Sequence, residues 1–359
     1  MNIEKPKKDL FFIAEALSHI RVINLVLEFS ENIYQPSSLK LFNTHSIYIK
    51  SNEISEIIFL PDETEKDVSI QVNQQLNTLS IRLPLSNFSI KSLKEISPWS
   101  AVYIDPNSDF CCGFCLCFLL NKDQIKHWRN LPSDNWVDMM DYWVCCKEKY
   151  NAFGNYGMLQ KIKSLSDSGI IFVGLSYFLI SEKNLQNIKV EKNKALCNFC
   201  HMNIGILIED GIKLYKWKLA EKNMEKIISF DIDIFISAEL LALIEIYPDH
   251  KFDICNEESG KCILKIWVFN SDLRITNGSF YTSDVNISNK TYNKFPGVRV
   301  MKVFYMLIQD TNIKLNFNNI SFHSEMVESL LYSLKKSNSL IPESMRQFDI
   351  WNIGYLKRY

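Results

Sequence analysis

Ten cysteines occur in the 359 residues, and their spacing is the first feature that could do chemistry. Cys112-Gly-Phe-Cys115 and Cys197-Asn-Phe-Cys200 are two Cys-x-x-Cys pairs. Thiolates are soft ligands, and zinc takes four of them in a tetrahedron that two short knuckles on facing hairpins supply with little chain strain. An unfolded chain has no preformed site, so metal binding there adds directly to the free energy of folding. The pairs stand farther apart than in a compact zinc ribbon, and Cys111 and Cys117 crowd the first of them. The competing reading makes these cysteines small buried hydrophobes. A structural zinc ion on Cys112, Cys115, Cys197 and Cys200 is the expectation carried forward.

The remaining thiols offer less. Trp136, Met139, Met140, Trp143 and Val144 fall at i, i+3, i+4, i+7 and i+8, which predicts a helix over Asn135–Val144. Ser133 or Asp134 can cap its start, and Pro132 stands just upstream. If the helix continues, Cys146 lies beside the apolar stripe and Cys145 points the opposite way, toward solvent or a partner. Periodicity alone makes Cys146 a core residue and Cys145 an idle surface thiol. Cys255 and Cys262 flank a polar hairpin loop, with no bond expected between them. His201, directly after Cys200, is a ligand, a supporting donor or a surface histidine, the last being expected.

Known catalytic patterns are missing. The chain has no Gly-x-Ser-x-Gly elbow, phosphate loop, Gly-x-Gly-x-x-Gly turn or His-Glu-x-x-His helix. Asp62, Glu63 and Glu65 cluster in a polar linker and read as a solvated turn. With 40 basic against 41 acidic residues, charge gives no direct nucleic-acid site. The longest apolar segments, Phe110–Leu120 and Gly169–Ile180, are too short to span a bilayer and read as buried strands. The charged first twenty residues do not resemble a secretory signal, so the expectation is a soluble intracellular protein without membrane contact. Its cysteines are then free thiols or metal ligands rather than disulfides.

The elements that must position these groups are mostly strands. Arg21–Phe29, Ser46–Lys50, Ile54–Leu60, Val68–Val72 and Leu79–Leu83 are short, rich in Ile, Val and Leu, and separated by turns. Asp9–Ser18 reads as a short helix. Further strands are expected at Ile204–Ile208, Lys213–Leu219, Cys262–Phe269 and Arg299–Ile308, with a hairpin turn at Glu209-Asp210-Gly211. Helices are expected at Ala238–Ile246 and Glu325–Lys336. The expected class is α+β: predominantly antiparallel sheet with a few packed helices and a sandwich- or barrel-like N-terminal part. Residues 1–225 form a β-rich domain carrying the cysteine motifs and 226–359 a smaller α+β domain, with a weakly marked boundary.

One stretch carries a family resemblance. Leu131-Pro-Ser-Asp-Asn-Trp136 through Trp143-Val-Cys145-Cys146 resembles the Leu-Pro-Ser-x-x-Trp…Trp-x-Cys-His segment of the HECT-like ubiquitin-conjugating-enzyme-binding family. Other islands follow that family's order: Ile81–Leu85, the Cys112/Cys115 knuckle, Cys197-Asn-Phe-Cys200 with Gly205, Gly211–Trp217, Lys302–Tyr305, Leu340–Arg346 and Trp351–Leu356. The resemblance implies a conjugating-enzyme partner and a ubiquitin-protein ligase-like role. It also implies a link to pre-mRNA cleavage and polyadenylation through a metallo-β-lactamase-type endonuclease, hence a place in cytoplasm and nucleus.

This chain departs from the family in having Cys146 at a position usually held by His, which puts any imidazole role there in doubt. Two functions follow from the resemblance. As regulator or assembly factor, the protein presents Cys145 and Cys146 to the endonuclease metal site and caps it, with Trp136 and Trp143 in the binding surface. As a ligase, it passes ubiquitin through a thioester on Cys145; a helix C-terminus, which raises thiol pKa, counts against that.

Overall fold

In the computed structural model, the structure describes residues 10–29, 36–50, 55–86, 97–105, 108–120, 123, 125–131, 169–208, 211–223, 226–280, 291–292, 297–308 and 317–359. Most of these residues lie in antiparallel strands joined by short turns, and two α-helices accompany them, as an α+β chain should. The expected helix over Asn135–Val144, with Trp136, Trp143, Cys145 and Cys146, lies outside the described residues. Among the described residues, no helix is long and apolar enough to cross a membrane.

The chain divides into two compact units, Met1–Leu93 with Leu243–Arg358, and Lys94–Ala242 with Tyr359.

The first unit is built on one long sheet. Leu10–Leu17 lies between Val22–Phe29 and the 19-residue strand Cys262–Phe280, antiparallel to both. Val298–Leu307 and Trp351–Lys357 extend the sheet on one side, Thr78–Pro84 and Gln71–Gln75 on the other. Leu10, Phe12, Ala14 and Ala16 pack with Ile47, Ile49 and Ile58 of a separate three-stranded sheet, so two sheets share one core. Ile13 on the opposite face joins Val26, Leu273 and Phe304 in another core.

That double burial corrects the helix expected over Asp9–Ser18. A strand apolar on both faces shows no period-2 alternation, and Leu, Ala and Glu favour helices; pairing with two neighbours overrides that propensity. Helix Ser324–Ser339 buries Met326, Val327, Leu330 and Leu334, and His323 caps it by accepting from the Glu325 N–H.

A buried polar network crosses this sheet. Lys302 Nζ lies 2.9 Å from Glu15 Oε1, and the Tyr355 hydroxyl donates to the same oxygen at 2.7 Å. Burial, then the Glu15 charge, pushes the Tyr355 phenol well above its ordinary range.

In the second unit a seven-stranded sheet runs in the order His127–Asn130, Ile170–Val173, Tyr177–Ile180, Gly211–Tyr215, Asn203–Ile208, Lys194–Cys197, Ile188–Glu191. Its first pair is parallel and the others antiparallel. A four-stranded sheet is ordered Ile227–Ile228, Leu219–Lys222, Asp109–Cys112, Phe118–Leu120. Trp99, Phe110, Phe178 and Phe235 meet in the core, Phe235 coming from the helix Ile232–Ile246.

Two segments read as single strands are instead hairpins. Gly169–Ile180 reverses at Gly174, whose N–H donates to the Tyr177 carbonyl; a Cβ there would come within 2.9 Å of the Tyr177 ring. Phe110–Leu120 reverses through Cys112–Cys117. A further correction concerns Cys255 and Cys262, expected as free thiols: antiparallel pairing sets them directly opposite each other, and they form a disulfide.

Candidate metal centre

Each Cys-x-x-Cys pair sits where a strand ends and turns back. Cys112 closes Asp109–Cys112 and Cys197 closes Lys194–Cys197. The two turns match atom for atom along the backbone. Cys112 N–H donates to the Cys117 carbonyl, as Cys197 N–H does to that of Met202. Leu116 N–H donates back to the Cys112 carbonyl, as His201 N–H does to that of Cys197. The N–H groups of Phe114 and Cys115 point at the Cys112 sulfur, and those of Phe199 and Cys200 at the Cys197 sulfur. A knuckle of this form turns its first sulfur into an acceptor for two backbone donors, which favours the thiolate.

The turns differ in how they are secured. Gly113 N–H donates to the Lys218 carbonyl, and the backbone passes so close that a Cβ on Gly113 would lie 2.9 Å from that oxygen. Asn198 N–H donates to the Asn187 carbonyl.

The four sulfurs of Cys112, Cys115, Cys197 and Cys200 lie within 4.8 Å of one another. Cys112 is 3.6 Å from Cys200 and Cys115 is 3.6 Å from Cys197. A tetrahedral ion with metal–sulfur bonds of about 2.3 Å separates its ligands by about 3.8 Å, so the observed spacing fits a four-thiolate site. The four residues could hold a metal ion. Cys112 and Cys197 are buried while Cys115 is exposed, so the centre is anchored in the core and open on one side.

Protons distribute unevenly over the thiols. Burial alone would raise Cys197, but the Cys200 N–H, the Cys117 thiol and the Phe199 N–H outweigh it and bring it down to about 6. Burial pushes Cys112 up despite its two N–H donors, and pushes Cys200 up to about 12 with help from neighbouring thiols. A metal must displace those protons, so its affinity rises with pH.

A fifth sulfur stands beside the four. Cys117 Sγ is 3.2 Å from Cys197 Sγ, and burial foremost, then hydrogen bonds to Cys197 and Cys115, raises its thiol well above the ordinary range. His201, the candidate extra ligand, is exposed at the turn position after Cys200 and takes no place among the clustered ligands.

Two features around the centre had no sequence signal. Phe114 and Phe199, at equivalent positions of the two knuckles, are 71% and 67% exposed. Lys216 is fully buried, donating to the Pro98 carbonyl at 3.1 Å and the Trp99 carbonyl at 3.2 Å. Burial lowers its amine to about 7, with Glu239 opposing. The Trp99 indole donates to Glu221 Oε2 at 2.6 Å, so Lys216 and Glu221 together hold one turn of chain against the aromatic core.

Comparison with known proteins places these residues in context. The family described as HECT-like Ubiquitin-conjugating enzyme (E2)-binding matches residues 15–353. An uncharacterized protein of Saccharomyces cerevisiae is 26% identical over 96% of this chain and 98% of its own. One from Schizosaccharomyces pombe is 25% identical over 81% of this chain and 86% of its own. A protein of Mus musculus named as an E3 ubiquitin-protein ligase is 23% identical over 69% of this chain and 70% of its own. No solved structure matches.

Proposed function

The chain belongs to the HECT-like ubiquitin-conjugating enzyme (E2)-binding family, and from that premise we propose that it docks a conjugating enzyme on the knuckle face of its second unit. The observation that carries this reading is the pair of solvent-facing rings, Phe114 and Phe199, one on each knuckle. Large aromatics left in water are costly unless covered by a partner, and such residues commonly anchor interfaces. A zinc ion on Cys112, Cys115, Cys197 and Cys200 would cross-link the two turns and fix the rings' relative placement, a structural use of the metal rather than a catalytic one.

The test is a titration of the metal-loaded protein against a panel of conjugating enzymes. We expect one or more to bind, and Phe114→Ala/Phe199→Ala to weaken binding at least tenfold with the fold intact, since each aromatic anchor typically contributes on the order of 2 kcal/mol. Absence of binding to every member would sink the docking proposal; undiminished binding by the double variant would move the surface elsewhere.

Two finer readings rest on the resemblance of Leu131–Cys146. In the first, the protein regulates or assembles the pre-mRNA 3′-end endonuclease in the cytoplasm and nucleus, Cys145 and Cys146 capping its metal site. The support is a pair of adjacent thiols after a Trp-rich segment, a soft ligand set for zinc. Unchanged co-purification and nuclease activity with Cys145→Ser/Cys146→Ser protein would reject it. In the second, Cys145 accepts ubiquitin as a thioester; the check is a reducible ubiquitin adduct that Cys145→Ser abolishes.

A further inference from the structure

The fifth thiol of the cluster has no place in a four-ligand site. Aligning the knuckles by their hydrogen bonds sets Cys117 opposite Met202: the carbonyl of each accepts from the first cysteine of its turn. The second knuckle fills this position with a thioether that cannot form a disulfide. The first fills it with a half-buried thiol whose sulfur lies 3.2 Å from Cys197, closer than the 3.6 Å separating Cys115 from Cys197. Cys111, the other free thiol outside the four among the described residues, is buried on the strand Asp109–Cys112.

We propose that Cys117 and Cys197 form a reversible disulfide under hydroperoxide, and that this bond expels the metal from the knuckle centre. The inference rests on reading Cys112, Cys115, Cys197 and Cys200 as the metal site. In the first step the Cys117 sulfur attacks the hydroperoxide: an S–O bond forms, the O–O bond breaks, and the thiol proton leaves with the departing oxygen as an alcohol or water. The product is a sulfenic acid on Cys117. In the second step Cys197 sulfur attacks Cys117 sulfur: the S–S bond forms, the S–O bond breaks, and hydroxide leaves and is protonated to water. The two sulfurs lose two electrons and the hydroperoxide gains them.

Cys197 then no longer offers a thiolate. Three ligands remain, their affinity falls, and the ion departs as the freed thiolates take up protons. Because Cys117 is half-buried, oxidant reaches its sulfur less readily than an exposed one, and the first step needs sustained oxidant. A thiol reductant restores both cysteines and the site. The consequence is a knuckle face that holds its shape in reducing conditions and loosens in oxidising ones.

The experiment uses full-length protein loaded with zinc, treated with hydrogen peroxide, and read in two ways. A chromophoric chelator follows zinc release, and peptide mapping without reduction locates the new bond. Wild type is expected to release its zinc, to show the Cys117–Cys197 linkage, and to rebind zinc after dithiothreitol. Cys117→Met installs the residue the other knuckle already carries, so it should fold, bind zinc, and release it at least fivefold more slowly. Zinc release by Cys117→Met at the wild-type rate, or a bond joining Cys115 to Cys197 or Cys117, would overturn the proposal. If the protein binds no zinc at all, the metal reading fails by itself, and peptide mapping still decides whether Cys117 and Cys197 are the pair.

Discussion

Leu116 and His201 occupy the same position in the two knuckles, each directly after the second cysteine, and both adopt left-handed backbone, with φ of 60° and 58°. Side chains with a Cβ meet a steric penalty of about 1–2 kcal/mol there, and glycine meets none. Both positions therefore carry strain that the hydrogen bonds from their N–H groups to Cys112 and Cys197 hold in place.

Leu116→Gly and His201→Gly should each stabilise the metal-loaded protein by up to about 1 kcal/mol, glycine's greater unfolded-state entropy offsetting part of the relief. The check is thermal unfolding of each variant and of the pair. A fall in midpoint for both would show that the turns are not strained.

Removing the metal should unlock the second unit. One zinc per chain is expected by elemental analysis, lost in Cys112→Ser or Cys197→Ser, since a three-thiolate remainder cannot close the tetrahedron. Chelator should lower the unfolding midpoint of wild type and leave those variants unmoved. A midpoint indifferent to chelator would mean that the sulfurs pack without a metal.

Lys216 makes stability depend on pH in a stated direction. Its folded-state value of about 7 lies below the ordinary 10.5, so between those values the unfolded chain binds a proton that the folded chain does not. Stability should rise as pH climbs from about 7 toward 10.5, because the fold holds a neutral amine and the cost of deprotonating the lysine falls over that range. Lys216→Met removes this slope, and the difference between the two pH profiles isolates it from thiol titration. Parallel profiles would show that Lys216 stays charged in the fold, held by the Pro98 and Trp99 carbonyls.

The Glu15 network should respond unequally to its two partners. Lys302→Met leaves a buried carboxylate without its cation and should cost about 3–5 kcal/mol. Tyr355→Phe removes one donor from the same oxygen and should cost about 1–3 kcal/mol. Denaturant unfolding at neutral pH measures both, and equal losses would contradict a dominant ion pair.

Much of the centre was legible because Cys-x-x-Cys is a local pattern whose geometry travels with it. The strand Ser46–Lys50 was legible from the polar residues that follow it, and most of helix Ser324–Ser339 from Met326, Leu330, Leu331 and Leu334 falling on one side. What escaped depends on partners distant in sequence. Leu10–Leu17 reads as helix until two flanking strands bury both its faces, and the hairpin within Gly169–Ile180 hides in an unbroken apolar run. Lys216 looks like an ordinary surface lysine between two aromatics; only the fold shows that the Pro98 and Trp99 carbonyls enclose it. The bond between Cys255 and Cys262 followed from strand register, which composition does not disclose.

The central strand Leu10–Leu17 finds its second neighbour in residues 274–280, after the whole second unit has intervened. During synthesis at roughly 5–20 residues per second, that edge waits on the order of ten to fifty seconds for its mate. The second unit, contiguous but for Tyr359, can condense during this interval, while the N-terminal hairpin offers an unpaired edge to any passing chain. Birth order thus lets the knuckle-bearing unit, Tyr359 aside, leave the ribosome complete before the long sheet can close.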